Sequence, residues 1–344
     1  MRALVVGRYG PPTNLEIRQE PDPQPKPGEV LVRVRAIGVN FGDLMQRMGI
    51  YPGGPKPPFV PGMELAGMVE RVGGATAAAE TDGLRAGEQV VALVPFGAYA
   101  EWAAVPSRYV FRVPAGISFE DAAAIPVNYL TAYHSMFAVG NVQAGDRILI
   151  HGAAGGVGIA AVQLARRKGL VIFGTAGPTK QDFLRKIGVD HPISHERADF
   201  VEVVRKFAPD GIEMVMDPIG GKSFAESYKC LGPTGRLVIY GFSAAAGGDG
   251  KKSWMRGLMA LAQTARFHPL RLMRDNISVS GVNLGVLETR GALVRRELDD
   301  LFRMYGAGEI KPVISKKFFL EQGAEAHQFI HDRKNVGKVL LWVR

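Results

Sequence analysis

Near the middle of the chain a run of small residues, His151, Gly152, Ala153, Ala154, Gly155, Gly156, Val157 and Gly158, follows the apolar triplet 148–150. It leads straight into an amphipathic stretch, 159–168. A buried strand, a glycine-rich turn and a helix start form the setting in which backbone can approach a dinucleotide pyrophosphate. The turn keeps side chains out of the way, and the helix N-terminus presents free N–H groups and positive dipole. The strict G-x-G-x-x-G spacing is not met, because Ala153 stands in the first glycine place, ahead of Gly155 and Gly158. Such turns also serve tight packing alone, so the surrounding segments decide.

Strand-like runs at 148–150, 170–174, 191–194, 212–217, 236–241 and 277–283 alternate with helical patterns at 159–168, 179–187, 198–207 and 224–231. That alternation predicts an α/β fold with a doubly wound parallel sheet and right-handed crossovers, and puts the glycine turn at the switch point after strand one. The first part of the chain differs. Alternating runs at 1–6, 30–39, 67–72 and 89–94 are separated by Pro- and Gly-rich turns at 21–28 and 51–58, as in a barrel-like β domain. A helix at 293–305 and strands at 313–318 and 337–343 are expected to return to it. The expected organisation is therefore 1–125 for the first part of the β domain, 126–285 for the nucleotide-binding domain and 286–344 for the returning segment.

With 344 residues, 47% of them apolar, the chain can bury two cores. Its single cysteine, Cys230, excludes an intramolecular disulfide and reads as a buried small residue. Segment 122–145 carries no Asp, Glu, Lys or Arg, yet Pro126, Asn128, Thr131, His134, Asn141 and Gln143 argue against a membrane span. A buried helix at the domain junction is expected instead. No basic-then-apolar leader opens the sequence, so a cytoplasmic location is expected. The net charge of +9 is concentrated in Lys251, Lys252, Arg256, Arg266, Arg271 and Arg274, interleaved with Trp254, Met255, Leu258, Met259, Leu261 and Phe267. The favoured reading is an amphipathic helix capping the sheet with a solvated basic face; peripheral contact with an anionic membrane surface, a partner or a CoA-type phosphate is the alternative. No nucleic-acid partner is expected.

Several further groups carry a family resemblance: Val39 to Asp43 with Asn40 and Phe41, Gly49 with Tyr51, Pro61 with Met63 and Glu64, Asn128 with Thr131, the glycine turn, and Asn335 to Leu340. Over essentially its whole length the chain resembles zinc-free medium-chain dehydrogenases/reductases of the quinone oxidoreductase type. The insert after Gly241 and the ending 334–340 look most like the vesicle-amine-transport-protein branch. The resemblance implies a GroES-like catalytic domain with a Rossmann domain inserted in it, a cleft between them, and a homodimer. Zinc relatives place a Cys near position 40 and a His before Glu64, where this chain has Val39, Asn40 and Met63. The four-cysteine zinc lobe is also missing, and one Cys among seven scattered His offers no tetrahedral spacing. Hydride transfer without a metal is expected.

An NAD site usually carries an acid at the end of its second strand. Here Phe173 to Lys180 contains none, and Asp182 falls inside the next helix. Lys180 is placed to meet a 2′-phosphate, and His195 lies where the family sets a residue beside the adenosine ribose; NADPH is the expected cofactor. A solvated Lys180 and a plain loop His195 are the bland alternatives. The resemblance further implies cofactor contacts from Asn40, Asp43, Thr131, Ala154, Gly155, Gly156, Val157, Gly158, Thr175, Gly241, Phe242, Asn283, Gly337 and Lys338. Tyr51 and Asn40 are the catalytic candidates. A phenol keeps its proton at neutral pH and can donate to a developing oxyanion, though Tyr51 can equally pack between the Pro-rich segments. Asn40 can instead cap a turn, and Asp43 the start of a helix. The expected activity is reduction of a quinone or activated enone by NADPH. An enoyl-thioester reductase is the runner-up, and a low-turnover cofactor-binding scaffold the reading from another class.

Overall fold

The computed structural model describes residues 1–74, 83–246 and 254–344. Period-2 apolar runs become β1 (Arg2–Val6), β2 (Leu15–Gln19), β3 (Glu29–Val39), β4 (Glu64–Val72), β5 (Gln89–Leu93), β6 (Trp102–Pro106) and β7 (Val110–Arg112). The nucleotide-type half follows as β8 (Arg147–Ile150), β9 (Val171–Ala176), β10 (His191–Ser194), β11 (Ile212–Asp217), β12 (Leu231–Ile239) and β13 (Ser278–Gly281). The tail adds β14 (Ile314–Phe319) and β15 (Lys338–Trp342).

β8 to β13 form one parallel sheet in the order β10-β9-β8-β11-β12-β13. Both faces of such a sheet are covered, which is why 148–150 of β8 and 214–216 of β11 read as continuous apolar runs. Ile148, Leu149, Ile150, Val215 and Met216 are fully buried. Between β8 and β11 the strand order reverses, so this is a doubly wound α/β fold with its switch point beside the glycine turn. The mixed sheet β14-β15-β3-β4-β5-β7, with β6 also on β3, is the second layer. β15 runs antiparallel to β3, so the last strand of the chain lies inside the sheet begun by the first hundred residues.

The charge-free segment 122–145 is helical but broken into Phe119–Ala124, Pro126–Tyr133 and a wider turn, His134–Val139. Pro126 sits at the first helical position, where its missing N–H has no partner to lose, so it restarts the helix rather than ending it. Among the described residues no helix is long and apolar enough to cross a membrane.

The basic insert forms two short helices, Trp254–Ala262 and Pro269–Asp275, where one capping helix was expected. His268 precedes Pro269, which disfavours helical backbone there, and its ring accepts the Leu270 amide to cap the second helix. Ala260 is buried and Leu272 packs on the sheet, whereas Met259, Leu261, Leu270 and Met273 are exposed. Lys251, Lys252 and the side chains of Trp254, Met255, Arg256 and Leu258 lie outside the described residues. Cys230 is buried and free, and burial pushes its thiol up to about 12.

Candidate active site

The helix Gly156–Lys168 begins three residues before the amphipathic pattern does, because Gly155 already caps it in extended backbone. Gly152 carries the positive φ of the turn, +63°, one residue before the motif's first glycine place. Ala153 is accommodated there as a buried methyl facing Gly174. Gly158 is a close-approach glycine: an added Cβ would meet the Gly152 carbonyl oxygen at 2.3 Å and Ala153 Cα at 2.6 Å. At Gly156 a Cβ would lie 2.2 Å from the Asn128 amide nitrogen. Turn backbone and the Asn128 amide therefore pack this cradle, with the first-turn amides of the helix at its mouth. Gly337 donates to the Ala154 carbonyl at 2.9 Å and bridges Gly155, so the returning tail touches the turn.

The end of β9 carries no carboxylate, and Asp182 is solvated and bonded to Arg185. Half-buried Lys180 donates to the carbonyls of Arg333 and Asn335, both at 2.7 Å. Burial, and then the nearby Arg333 charge, lower its pKa. Arg333, held at φ +54°, thus supplies a second cation here that sequence reasoning missed. His195 stands on the loop after β10 with its ring 41% exposed. Thr175 is buried, its hydroxyl turned toward His151 and the Gly152 amide. Phe242 covers Gly220 after the Gly241 turn, and exposed Asn283 caps the next turn by accepting the Gly285 amide.

At the other end, the helix Phe41–Met48 starts on a reciprocal cap: the Asp43 carboxylate accepts the Asn40 amide at 2.8 Å. The Asn40 side chain accepts from Lys338 Nζ at 2.7 Å and donates to Glu64 at 2.8 Å. Lys338 also donates to Glu64, which takes the Val127 amide on its other oxygen. Tyr99 donates to Asp43 at 3.0 Å and meets His327 at 3.1 Å. Burial pushes Asp43 up to about 7, against the Asn40 amide, Lys338 and Tyr99, which hold it down. Tyr51 is half-buried beside Gly42 and Met63, its phenol held above the ordinary range by burial and then by Asp43. The Thr131 hydroxyl donates to the Val127 carbonyl. Asn40, Asp43 and Lys338 are thus brought together and the glycine turn meets Gly337, while Asn283 lies on an exposed turn just after β13. Glu64, Tyr99 and His327 carried no signal as site residues beyond the motif around Glu64.

The residues do not fit a catalytic zinc ion. The place between Asn40 and Glu64 is held by the Lys338 ammonium, a resident cation. Among the described residues no three His, Cys, Asp or Glu are grouped to hold a metal.

Residues 26–115 match the alcohol dehydrogenase GroES-like domain family, and residues 187–341 the zinc-binding dehydrogenase family. The human synaptic vesicle membrane protein VAT-1 homolog is 40% identical over 99% of this chain and 86% of its own length. Human quinone oxidoreductase is 31% identical over 99% of this chain and 97% of its own length. Escherichia coli quinone oxidoreductase, solved in complex with NADPH, superimposes with a TM-score of 0.87 at 27% identity, covering 99% of this chain and 100% of that one.

Proposed function

This chain belongs to the medium-chain dehydrogenase/reductase family, in its VAT-1-like branch, and from that premise we propose that it is an NADPH-dependent reductase of quinones or activated enones. The observation that carries the reading is the cofactor end of the site. A backbone-lined turn at the switch point leads to a strand end with no carboxylate and with Lys180 and Arg333 side by side. An acid there would hold ribose hydroxyls and repel a 2′-phosphate. Lys180 has three N–H donors, and the two carbonyls it holds leave one for a phosphate oxygen.

NADPH, when bound, supplies the hydride. The chain's own residues do the rest. The amides of the first turn of Gly156–Lys168 hold the pyrophosphate, and Lys180, Arg333 and His195 surround the 2′-phosphate. Asn40, locked between Lys338 and Glu64, fixes the start of the helix that leads to Tyr51. Tyr51 stays protonated at working pH and donates to the oxygen that gains charge. The proposal includes a homodimer, for which β13 offers an open sheet edge; light scattering tests it.

The test is nicotinamide absorbance over time with NADPH or NADH and a panel of quinones, small enones and an enoyl-CoA. Consumption of NADPH with quinone or enone, faster than NADH, is expected. Tyr51→Phe is expected to lose on the order of 10²-fold in turnover while still binding NADPH. Consumption with enoyl-CoA alone reassigns the substrate, and tight binding without turnover on any acceptor overturns the reductase.

A further inference from the structure

Beneath the glycine turn lies a buried polar chain whose direction is fixed from end to end. Asp217, at the end of β11, is fully buried. Its Oδ2 takes the hydroxyl protons of Ser223 and Ser227, each at 2.7 Å, and its Oδ1 takes the Ile219 amide at 2.7 Å. A carboxylate only accepts, so the single proton of Ser227 is committed to it. His151 Nε2, 3.0 Å from Ser227 Oγ, must therefore carry the proton and donate. The neutral ring then has a lone pair on Nδ1, which faces Thr175 Oγ1 at 3.1 Å, so Thr175 donates there. With its proton spent, Thr175 Oγ1 accepts the Gly152 amide at 3.2 Å. Every donor has one acceptor, and the chain joins the ends of the three strands, β8, β9 and β11, that flank the switch point.

We propose that His151 is a positioning residue for the cofactor pyrophosphate, held in one tautomer by Asp217 through Ser227 and holding the Gly152 amide through Thr175. The inference rests on the NADPH reading above and assigns a task to residues which that reading leaves unused. Gly152 has the left-handed backbone on which the turn depends, so its amide plane sets where the following amides point. A charged His151 would carry a proton on Nδ1, and the Thr175 hydroxyl would lose the acceptor that fixes its direction toward the Gly152 amide. Burial holds the ring neutral by lowering its pKa, against the pull of Asp217.

Thr175→Val keeps the shape and removes the hydroxyl, and Ser227→Ala cuts the chain at its other joint. Calorimetric binding of NADPH and of 2′-AMP, which has no pyrophosphate, is measured for both, with Thr175→Ser as the conservative control. NADPH affinity is expected to fall about tenfold in Thr175→Val and Ser227→Ala. Affinity for 2′-AMP is expected to stay within about twofold of wild type, and Thr175→Ser to resemble wild type for both ligands. Equal weakening of both ligands, or no change in either, overturns the inference, and Ser227→Ala decides alone if Thr175→Val fails to fold. A wild-type chain that binds no NADPH overturns the underlying reading instead.

Discussion

In the chain linking Gly152, Thr175, His151, Ser227 and Asp217 every polar group has a partner, whereas around Asp43 several buried atoms have none among the described residues. Asp43 Oδ1, Gln46 Oε1, Arg47 Nε and His327 Nδ1 are buried without a hydrogen-bond partner among the described residues. The first network is neutral apart from one carboxylate at its foot. The second packs Asp43, Glu64, Lys338, Arg47 and His327 into the protein interior, all fully or almost fully buried. A satisfied network rigidifies, while incompletely paired buried charge stores unfavourable energy in the folded state. The contrast suits the two proposed tasks. A pyrophosphate cradle needs fixed backbone, and a reacting end needs groups whose protonation is poised between states.

The contrast breaks most visibly at Lys338. Lys338→Met removes the one cation paired, among the described residues, with a Glu64 that is fully buried, and loss of one member of a buried pair costs about 3–5 kcal/mol. Chemical denaturation reads this directly. The double variant Glu64→Gln with Lys338→Met is expected to recover a large part of the loss, since no unpaired charge remains. A single-variant loss under about 1 kcal/mol would show that the cluster is not held by charge.

The cofactor end is sharpened by Lys180→Glu, with a smaller expected effect. It replaces the proposed phosphate donor with an acid suited to ribose hydroxyls, so the NADPH-to-NADH affinity ratio is expected to fall roughly 10- to 100-fold. Titration with each dinucleotide measures the ratio. Equal loss for both would mean that Lys180 serves only to tie the tail at Arg333 and Asn335.

The nucleotide half was legible because its information is local. Strand runs of one period, helices of another and turn glycines in a fixed order are all carried by neighbours in sequence, and His191–Ser194 and Ile212–Asp217 emerged with the expected bounds. Boundaries moved where glycine blurs periodicity, as at Gly156. The reacting end was legible only in part. Asn40 and Asp43 were readable as a helix start, and Gly49, left-handed at φ +71°, closes that helix. Their partners are far away: Lys338 reaches Asn40 across 298 positions and Tyr99 meets His327 across 228. Nothing in the local pattern announces such a pair. The insert shows the same limit, since composition displayed an apolar face but not that Pro269 would split the helix and leave Met259 and Met273 exposed.

The smallest effect, and the one that compares the two ends most closely, is the pH dependence of stability. Asp43 has a folded pKa of about 7 against an ordinary value near ~3.9. Between roughly pH 4 and pH 7 the folded carboxyl keeps a proton that the unfolded chain has released, so its contribution falls as pH rises, by at most about 1.4 kcal/mol per unit. His327 and His151 act oppositely. Burial lowers both, so the folded chain binds fewer protons than the unfolded one, and stability rises with pH up to the ordinary imidazole range. The slopes oppose each other in the wild type, but two imidazoles outweigh one carboxyl, so its unfolding free energy is expected to rise only gently from about pH 5 to pH 6.5. Asp43→Asn keeps an acceptor for the Asn40 amide and for Tyr99 but removes the titration. Its stability, from urea unfolding across that range, is expected to climb with pH more steeply than that of the wild type. Parallel curves for the two proteins would mean that Asp43 is ionised throughout, and the reacting end would then be as settled as the turn.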